Sequence, residues 1–400
     1  MINNGPRNWI AGNYQSFDGL RGIAILMVFT IHYGDMVVPA KYVECLWTGV
    51  DLFFVLSGFL ITGILWDSVD SPTFYRNFYT RRALRIFPLY YGFFLCVAAL
   101  TPLLHLHYDP MLWTNLLYLQ NFTVAFAPQH NPTVIMIGQV IRTIRPTVGL
   151  GVTWSLCVEE HFYLLWPFVV RYARGRRRLL ISICFAGIVL VMALRTALYL
   201  HDPVRYRASS FLYRASFTRF DTLLIGAALA LLLREYRVAP TQFRGIARGC
   251  IAFGLLTLAI GLLTFGRRLP WDLFNPVFST YGFTSVGIVA AGIVMLAIDD
   301  SSALSRLLRN RYLKDIGGVS YGIYFLHALP AQFVSVICSK LAPWHAAIVV
   351  VPCTFLLTYC AARWSYANVE SPFLRLKDRW APPTAHASRP SGVPSLEVAA

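Results

Sequence analysis

SFDGLRGIAILMVFTIHYG, residues 16–34, is an apolar segment long enough to form a first membrane-spanning helix. Two ionisable side chains interrupt it, Arg21 and His32, which are eleven residues apart. At 3.6 residues per turn and about 1.5 Å per residue, this interval is almost three turns, so both side chains lie on one helix face about 16 Å apart in depth. An ionisable group in a span is costly unless it lines a cavity or has a partner. The segment therefore predicts a membrane protein whose first helix carries a polar face.

This polar face has more than one interpretation. The functional one is a cation near the cytoplasmic entrance of a cavity, Arg21, and a proton acceptor deeper in it, His32. Arg21 could instead be a positively charged residue that anchors the cytoplasmic end of the helix. His32 could hydrogen-bond a neighbouring helix and take no part in chemistry. The segment alone leaves both alternatives open.

The composition of the whole chain agrees with a membrane protein. Hydrophobic residues make up 56% and charged residues 14% of 400 residues, and the mean hydropathy is +0.55. Soluble domains of ordinary composition do not reach these values. The net charge of +16 comes from basic residues that lie between apolar runs, which favours orientation in the membrane and contact with anionic lipids over a nucleic-acid partner. The eight cysteines include no C-x-x-C pair, so neither a zinc site nor a redox motif is indicated.

Ten apolar segments of about 20 residues predict an all-α polytopic fold with ten transmembrane helices. If the N-terminus is cytoplasmic, the cytoplasmic loops hold about 20 Lys and Arg residues and the opposite side holds about 9. This bias predicts that both termini are cytoplasmic and that the protein is a multi-pass protein of the inner (cytoplasmic) membrane. The segments lie near residues 17–35, 47–66, 85–104, 153–171, 179–200, 218–234, 248–266, 281–298, 316–337 and 345–366.

The chain divides into three parts. Residues 1–15 are polar, are expected to be cytoplasmic and show no cleavable signal peptide. Residues 16–379 form the membrane domain. Residues 380–400 are rich in Pro, Ser and Ala and are expected to be a disordered cytoplasmic tail. Within the membrane domain, residues 105–151 contain MLWTNLLYLQNF, which is too short to cross and predicts an interfacial or re-entrant element on the outer face.

Two motifs near the second and third spans suggest a binding site for an anion. GVDLFFVLSGFLITGIL places Ser57 and Gly58 in the second span, where small residues let a helix or a ligand approach closely. FYTRRALRIFPLYY places Arg82 and Arg85 at i and i+3, on one face at the cytoplasmic start of the third span. Together with Arg21 they would suit a diphosphate. Helix packing and positive-inside anchoring are the respective alternatives.

WSLCVEEHFYLLWP starts the fourth span with two carboxylates, Glu159 and Glu160. A carboxylate near a helix N-terminus is stabilised by the helix dipole, which is the structural interpretation. The functional interpretation is that one of them is a partner for His32, because a carboxylate that orients imidazole and stabilises imidazolium makes histidine a general base.

Other polar residues in the chain are assigned structural roles. Arg219 and Asp221 are interpreted as a charge pair at the outer start of the sixth span, and His327 as a buried histidine with its hydrogen bonds satisfied. His105 and His107 form an H-x-H pattern without a third ligand nearby, so no metal site is predicted.

The order of these motifs resembles the membrane-bound acyltransferase family 3, over residues 16–379. The matching motifs are the R-x10-H of Arg21 and His32, GVDLFFVLSGFL, RRALRIFPLYY, WSLCVEEHFYLLWP, RFDTLLIGAALA, SYGIYFLH and VESPFLRLK. Two residues depart from the pattern WSLSVEEQFY that is common in the family, Cys157 and His161.

The resemblance implies an enzyme that moves an acyl group, often acetyl, from cytoplasmic acyl-CoA to a hydroxyl of a saccharide or glycoconjugate. It implies that His32 is the catalytic base, with Glu159 or Glu160 beside it. The donor site would contain four residues that match the motifs: Arg21, Ser57, Arg82 and Arg85. Three further functional residues are expected from their positions in the same motifs: Asp18, Trp154 and Glu370.

The sequence leaves some alternatives open. The acyl group could pass directly to the acceptor or through an acyl-histidine. The acceptor could be a small molecule or a lipid instead of a saccharide. A transporter for a polar metabolite would also place charged residues on cavity-facing helices, but it would leave the thioester intact.

Overall fold

The computed structural model describes residues 14–104, 106–126, 134–136, 147–149, 151–203, 211–265, 271, 275–330, 334 and 343–382. Nearly all of the predicted segment 1–15 and most of the predicted tail 380–400 lie outside these residues, and so does His105.

The described residues form a predominantly helical protein. The helices are α1 (Gln15–Tyr33), α2 (Gly49–Asp67), α3 (Phe74–Leu104), α4 (Trp113–Leu116), α5 (Gln120–Phe126), α6 (Trp154–Tyr172), α7 (Arg177–His201), α8 (Phe211–Arg214), α9 (Phe220–Glu235), α10 (Pro240–Phe265), α11 (Phe283–Ile298), α12 (Ala303–Leu308), α13 (Arg311–Gly318), α14 (Ser320–Leu326), α15 (Pro343–Ser365) and α16 (Ser371–Trp380). Two π-helical segments, Phe278–Gly282 and Tyr366–Glu370, precede α11 and α16.

In the described part of the chain, five helical segments are long and apolar enough to cross a membrane: Glu44–Asp67, Phe74–Leu103, Arg177–His201, Pro240–Phe265 and Phe278–Ile298. A multi-pass membrane protein is thereby supported. The structure also has helices at the other predicted spans, in α1, α6, α9, α13 with α14, and α15. Some of these carry ionisable residues, which lowers their hydropathy. It stays a prediction that these helices cross the membrane. The cytoplasmic location of both termini also stays a prediction.

The five apolar segments differ in where their apolar surface lies. About 72% of the apolar window of α2 and of α11 is buried inside the protein, against 22% in α3, α7 and α10. The second group therefore presents most of its apolar surface outward, as lipid-facing helices do. The first group forms the interior, against which the polar residues of α1 and α6 are packed.

Small residues allow close contact between helices in this interior. A Cβ atom added to Gly58 on α2 would lie 2.0 Å from the backbone oxygen of Leu223 on α9. Gly58 therefore serves helix packing, which is one of the two interpretations that the sequence leaves open for it. The neighbouring Ser57 has a different contact, with α6.

The segment that follows α3 contains the few strands found in this all-α fold. MLWTNLLYLQNF forms α4 and the start of α5, which are too short to cross a membrane. The same region also contains a small antiparallel sheet of three strands, β1 (His107–Tyr108), β2 (Val134–Met136) and β3 (Thr147–Gly149), in the order β1-β2-β3. The strands are rich in Val, Ile and Thr, which favour extended backbone.

Candidate active site

The N-terminal half of α1 holds the first cation of the predicted donor site. Arg21 is buried, and its Nη1 donates a hydrogen bond to Asp18 Oδ1, 3.0 Å away and one turn earlier. The charges of Arg82 and Arg85 also act on Arg21. The three arginines expected to bind one anion therefore lie near one another, and Asp18 compensates part of their charge.

Arg82 and Arg85 on α3 form no salt bridge in the described part of the protein. Arg82 is 9% exposed, and its guanidinium lies over the ring of Tyr163, 4.9 Å from the centroid. In Arg85, the buried Nη1 has no hydrogen-bond partner. A buried guanidinium donor without a direct partner is unfavourable. The arrangement therefore leaves donors that an anion could engage.

The neighbouring Arg81 makes different contacts. Its Nη2 lies 3.2 Å from Asp378 Oδ1 on α16, and its Nε donates a hydrogen bond to the Ala381 oxygen over 2.9 Å. Arg81 therefore ties the C-terminal helix to α3. Its side chain is committed to this contact, whereas those of Arg82 and Arg85 are not.

Ser57, Glu159 and Tyr163 connect α2 to α6 beside Arg82. The Ser57 hydroxyl donates a hydrogen bond to Glu159 Oε1 over 2.5 Å and accepts one from the Tyr163 hydroxyl over 3.2 Å. Glu159 interacts electrostatically with Arg82 and Arg21. Glu159 therefore belongs with the arginines of the predicted donor site, where it holds Ser57 in place.

Two further carboxylates lie close to the same arginines. Glu160 interacts electrostatically with Arg82, but it forms no hydrogen bond with another described residue. Glu370, at the end of the second π-helical segment, is 2% exposed and accepts a hydrogen bond from the Ser365 hydroxyl over 3.3 Å. Burial raises the pKa of Glu370, and the charge of Arg85 opposes this shift.

His32 lies at the other end of α1, with a different set of neighbours. Its ring is accessible and stacks on the ring of His327, with centroids 5.1 Å apart and planes at 28°. His327 is buried, and its Nδ1 bonds to the Tyr324 oxygen over 2.7 Å. The Tyr33 hydroxyl donates to the His327 oxygen over 3.0 Å. His327 is therefore a satisfied buried histidine, as the sequence predicts, and it supports the ring of His32.

The structure corrects the expectation that His32 contacts the α6 glutamates. In the described part of the chain, neither Glu159 nor Glu160 forms a hydrogen bond or an ion pair with His32. The cause is the position of α6 relative to α1: Glu159 bonds to Ser57 and both glutamates interact with Arg82, whereas His32 lies at the end of α1 remote from Arg21. Their predicted catalytic role as partners of His32 loses its geometric basis.

The predicted Arg219–Asp221 pair is also corrected, because each residue bonds across to another helix. Arg219 pairs with Asp51 on α2, and Asp221 pairs with Arg195 on α7 over 3.1 Å. All four side chains are fully buried. A buried cross-helix network of this kind specifies how helices meet, which is a structural role, as predicted.

Trp154, the first residue of α6, packs among aromatic rings. It is 7% exposed and lies 4.5 Å from the Tyr213 ring and 6.1 Å from the Phe54 ring, measured between centroids. These contacts fix the start of α6. Its role in chemistry stays a prediction.

The two departures from the family pattern differ in their contacts. Cys157 is fully buried, and its thiol donates to the Thr153 oxygen over 3.3 Å, within the first turns of α6. His161 is partly exposed, and its Nδ1 lies 2.6 Å from the Ser216 hydroxyl. Ser216 was not singled out in the sequence, although the unusual histidine at 161 is a signal that leads to it.

Arg214 is a second residue that the sequence did not single out. It ends the short helix α8, and its charge acts on His32. Its Nε is buried without a hydrogen-bond partner. In the sequence, Arg214 is only one of the basic residues counted on the predicted outer side. Nothing in the sequence indicates that its charge acts on His32.

The predicted H-x-H pattern is only partly described. His107 lies in β1 with an exposed side chain, and His105 lies outside the described residues. Across the residues that the structure describes, no group of three His, Cys, Asp or Glu side chains could hold a metal ion.

Comparison with known proteins gives a family match and related proteins. The model of an acyltransferase domain, Acyl_transf_3, matches residues 14–363. The peptidoglycan O-acetyltransferase OatA of Listeria monocytogenes is 29% identical over 378 residues, which are 89% of this chain and 55% of that protein. The O-acetyltransferase OatA of Staphylococcus aureus is 27% identical over 375 residues, 89% of this chain and 56% of that protein. The chain thus spans about half the length of these relatives. No solved structure matches it.

Proposed function

The chain belongs to this acyltransferase family, membrane-bound acyltransferase family 3, and on that premise we propose that it is an O-acyltransferase of the inner membrane. It transfers an acetyl group from cytoplasmic acetyl-CoA to a hydroxyl of a saccharide or glycoconjugate. The observation that carries the proposal is the pair of arginines on α3 that form no salt bridge among the described residues, at the opposite end of the polar face of α1 from His32.

The arginines support an acyl-CoA donor by their charge and spacing. The diphosphate of coenzyme A offers oxygens that guanidinium groups bind in pairs of parallel hydrogen bonds. Arg82 and Arg85 are one turn apart on α3 and form no salt bridge among the described residues, although Glu159, Glu160 and Glu370 lie near enough to act on them electrostatically. Arg21 adds charge from α1, although Asp18 reduces its contribution. In this arrangement the phosphates supply the direct partners that the two guanidinium groups on α3 lack.

His32 is the proposed base of the transfer step. The acceptor hydroxyl gives its proton to His32 while its oxygen attacks the thioester carbonyl. The tetrahedral intermediate then expels the coenzyme A thiolate, which is protonated to the thiol. Assistance of this kind contributes about 10²- to 10⁴-fold to the rate. His327 stacks on the His32 ring, and Arg214, whose charge acts on His32, would favour the anionic intermediate.

The acceptor is proposed from the relatives and from the position of His32. The listerial relative is named a peptidoglycan O-acetyltransferase, so its acceptor is a cell-wall polymer. His32 lies at the end of α1 that the charge bias assigns to the outside, where such a saccharide would be met. We therefore propose a glycan or glycoconjugate acceptor outside the cytoplasmic membrane.

The test compares three arginines of one motif. Arg82→Gln with Arg85→Gln should weaken acetyl-CoA binding to the purified protein in detergent at least tenfold, because charge and fork geometry are both lost. Arg81→Gln is the matched control: it removes the same kind of side chain, but one that is committed to Asp378 and Ala381. Its donor affinity should stay within about twofold of that of the unchanged protein.

Equal donor affinity in all three proteins would show that Arg82 and Arg85 are only topological anchors.

The same preparations distinguish an enzyme from a transporter. An acetyltransferase releases free coenzyme A thiol from acetyl-CoA when a saccharide acceptor is added, whereas a transporter moves its substrate and leaves the thioester intact.

A further inference from the structure

A hydrogen-bonded serine and histidine lie outside the residues assigned so far. Ser216 begins the short 3₁₀ turn Ser216–Thr218 that precedes α9, and His161 lies on α6. Their side chains meet with the Ser216 Oγ 2.6 Å from His161 Nδ1. Asn121 Nδ2 donates to the same Oγ over 3.0 Å and to the Arg214 oxygen over 3.2 Å. The serine oxygen is thus placed by two side chains from two helices.

The contacts of Ser216 assign the direction of its bond to His161. Asn121 Nδ2 bonds to the Arg214 carbonyl oxygen, which only accepts, so this nitrogen is a donor and it also donates to Ser216 Oγ. The hydrogen of the Ser216 hydroxyl is then left for its other neighbour, His161 Nδ1, which accepts it through its lone pair. The Phe122 ring lies parallel to the imidazole, 5.5 Å between centroids at 18°, and fixes its plane.

This geometry has the parts of an activated nucleophile. A serine hydroxyl is hydrogen-bonded to a histidine lone pair. The parallel Phe122 ring orients the imidazole, which is the role that a carboxylate has in a catalytic triad. Ser216 is 3% exposed, while His161 is partly exposed, so the pair borders accessible space. Ser216 is two residues from Arg214, whose charge acts on His32.

We propose that Ser216 is a nucleophile activated by His161 and that it carries the acyl group between donor and acceptor. Ser216 Oγ attacks the thioester carbonyl and gives its proton to His161 Nδ1. The carbon–sulfur bond breaks, and the leaving thiolate takes that proton, which leaves an acyl-serine ester and free thiol. The acceptor hydroxyl then gives its proton to His32 while its oxygen attacks the ester carbonyl. The bond between that carbon and Ser216 Oγ breaks, and the serine oxygen takes up the proton that His32 had removed, which regenerates both residues. This role deepens the proposed function and rests on it.

The test uses a serine-directed fluorophosphonate, which needs no acyl donor. Ser216 Oγ displaces fluoride from phosphorus, and mass spectrometry of the full-length protein in detergent locates the adduct. We expect labelling of the peptide that contains Ser216. In His161→Gln, the rate of this labelling should fall at least about tenfold. Gln is the matched control because its amide oxygen can accept from Ser216, as histidine Nδ1 does, but it cannot take the proton. Ser216→Ala should show no adduct at this site.

The outcomes separate this role from a structural one and from the proposed function. An unlabelled Ser216 in folded protein, or equal labelling in His161→Gln, overturns the activated serine. Without acceptor, acetyl-CoA should give a burst of one thiol per protein and an acetyl group on Ser216, both absent in Ser216→Ala. Transfer without that acetyl adduct would leave the proposed function standing and overturn the serine carrier. Labelling by fluorophosphonate without consumption of acetyl-CoA would keep the activated serine and contradict the donor.

Discussion

His32 is accessible and is supported from one side by a buried ring, which is the arrangement expected of a base that must meet a substrate. Its neighbour His327 has its Nδ1 engaged with the Tyr324 oxygen and is 1% exposed, so it is not placed to meet one. His32→Ala therefore should leave the arginine cluster and acetyl-CoA binding intact while transfer falls by at least about 10²-fold. Donor binding and transfer are measured on the same purified protein.

A structural role for His32 makes a different prediction. If the ring mainly supported packing, His32→Ala would lower the thermal unfolding temperature in proportion to its loss of activity. Because the side chain is exposed, we expect an unfolding temperature close to that of the unchanged protein. Well-folded His32→Ala with near-normal turnover would contradict the assignment of the base.

At the scale of single residues, the sequence identifies the types of side chain in the site better than their partners. RRALR presents three arginines that no local rule separates, and only contacts from residues about 300 positions later commit Arg81 to α16. The same limit explains the glutamates. Their place at the start of α6 was evident, but the contact of Glu159 with Ser57 depends on how α6 packs against α2, which spacing within one helix does not determine.

At the scale of elements, the α2–α9 contact tests the packing argument. Gly58→Ala places a Cβ atom 2.0 Å from the Leu223 oxygen, so the helices must separate. We expect a loss of about 1–3 kcal/mol of stability, as overpacking typically gives. Gly92→Ala on α3 is the matched control, because an added Cβ meets nothing within 4 Å there. Its stability should be unchanged or higher by up to about 1 kcal/mol.

Thermal unfolding in one detergent compares the two glycine variants. A Gly58→Ala protein as stable as Gly92→Ala would show that α2 and α9 are farther apart than described, and would weaken the placement of Ser57 beside α6. Acetyl-CoA binding by both variants adds a functional measure of the same contact, because Ser57 is the next residue on α2.

The elements themselves were largely predictable where an apolar run is continuous. Long helices form at α2, α3, α7 and α10 because uninterrupted apolar residues leave the backbone no better way to satisfy its hydrogen bonds in lipid. The ninth predicted segment, 316–337, instead contains the end of α13 and the separate helix α14, which are divided at Val319. The small sheet was missed because its strands have two or three residues each, too few to show an alternating pattern.

At the scale of the whole molecule, the proposal depends on orientation. Acetyl-CoA is cytoplasmic, so Arg82 and Arg85 must lie on the inner side and His32 on the outer side. The two sites lie toward opposite ends of α1, with Arg21 near the first residues of the helix and His32 near its last. If the orientation were reversed, the arginine cluster would face a compartment without the donor.

Orientation is measured with single cysteines in a cysteine-free protein on intact cells. Tyr42, in the connection between α1 and α2, is 65% exposed, and Gln242, in the first turn of α10, is also exposed. The distribution of positive charge places Tyr42 outside and Gln242 inside. An impermeant maleimide should therefore label Tyr42→Cys on intact cells and should label Gln242→Cys only after the cells are permeabilised. The reverse pattern would place Arg82 and Arg85 outside and exclude cytoplasmic acetyl-CoA as their ligand. Labelling of both positions in intact cells would contradict the odd number of predicted spans between them.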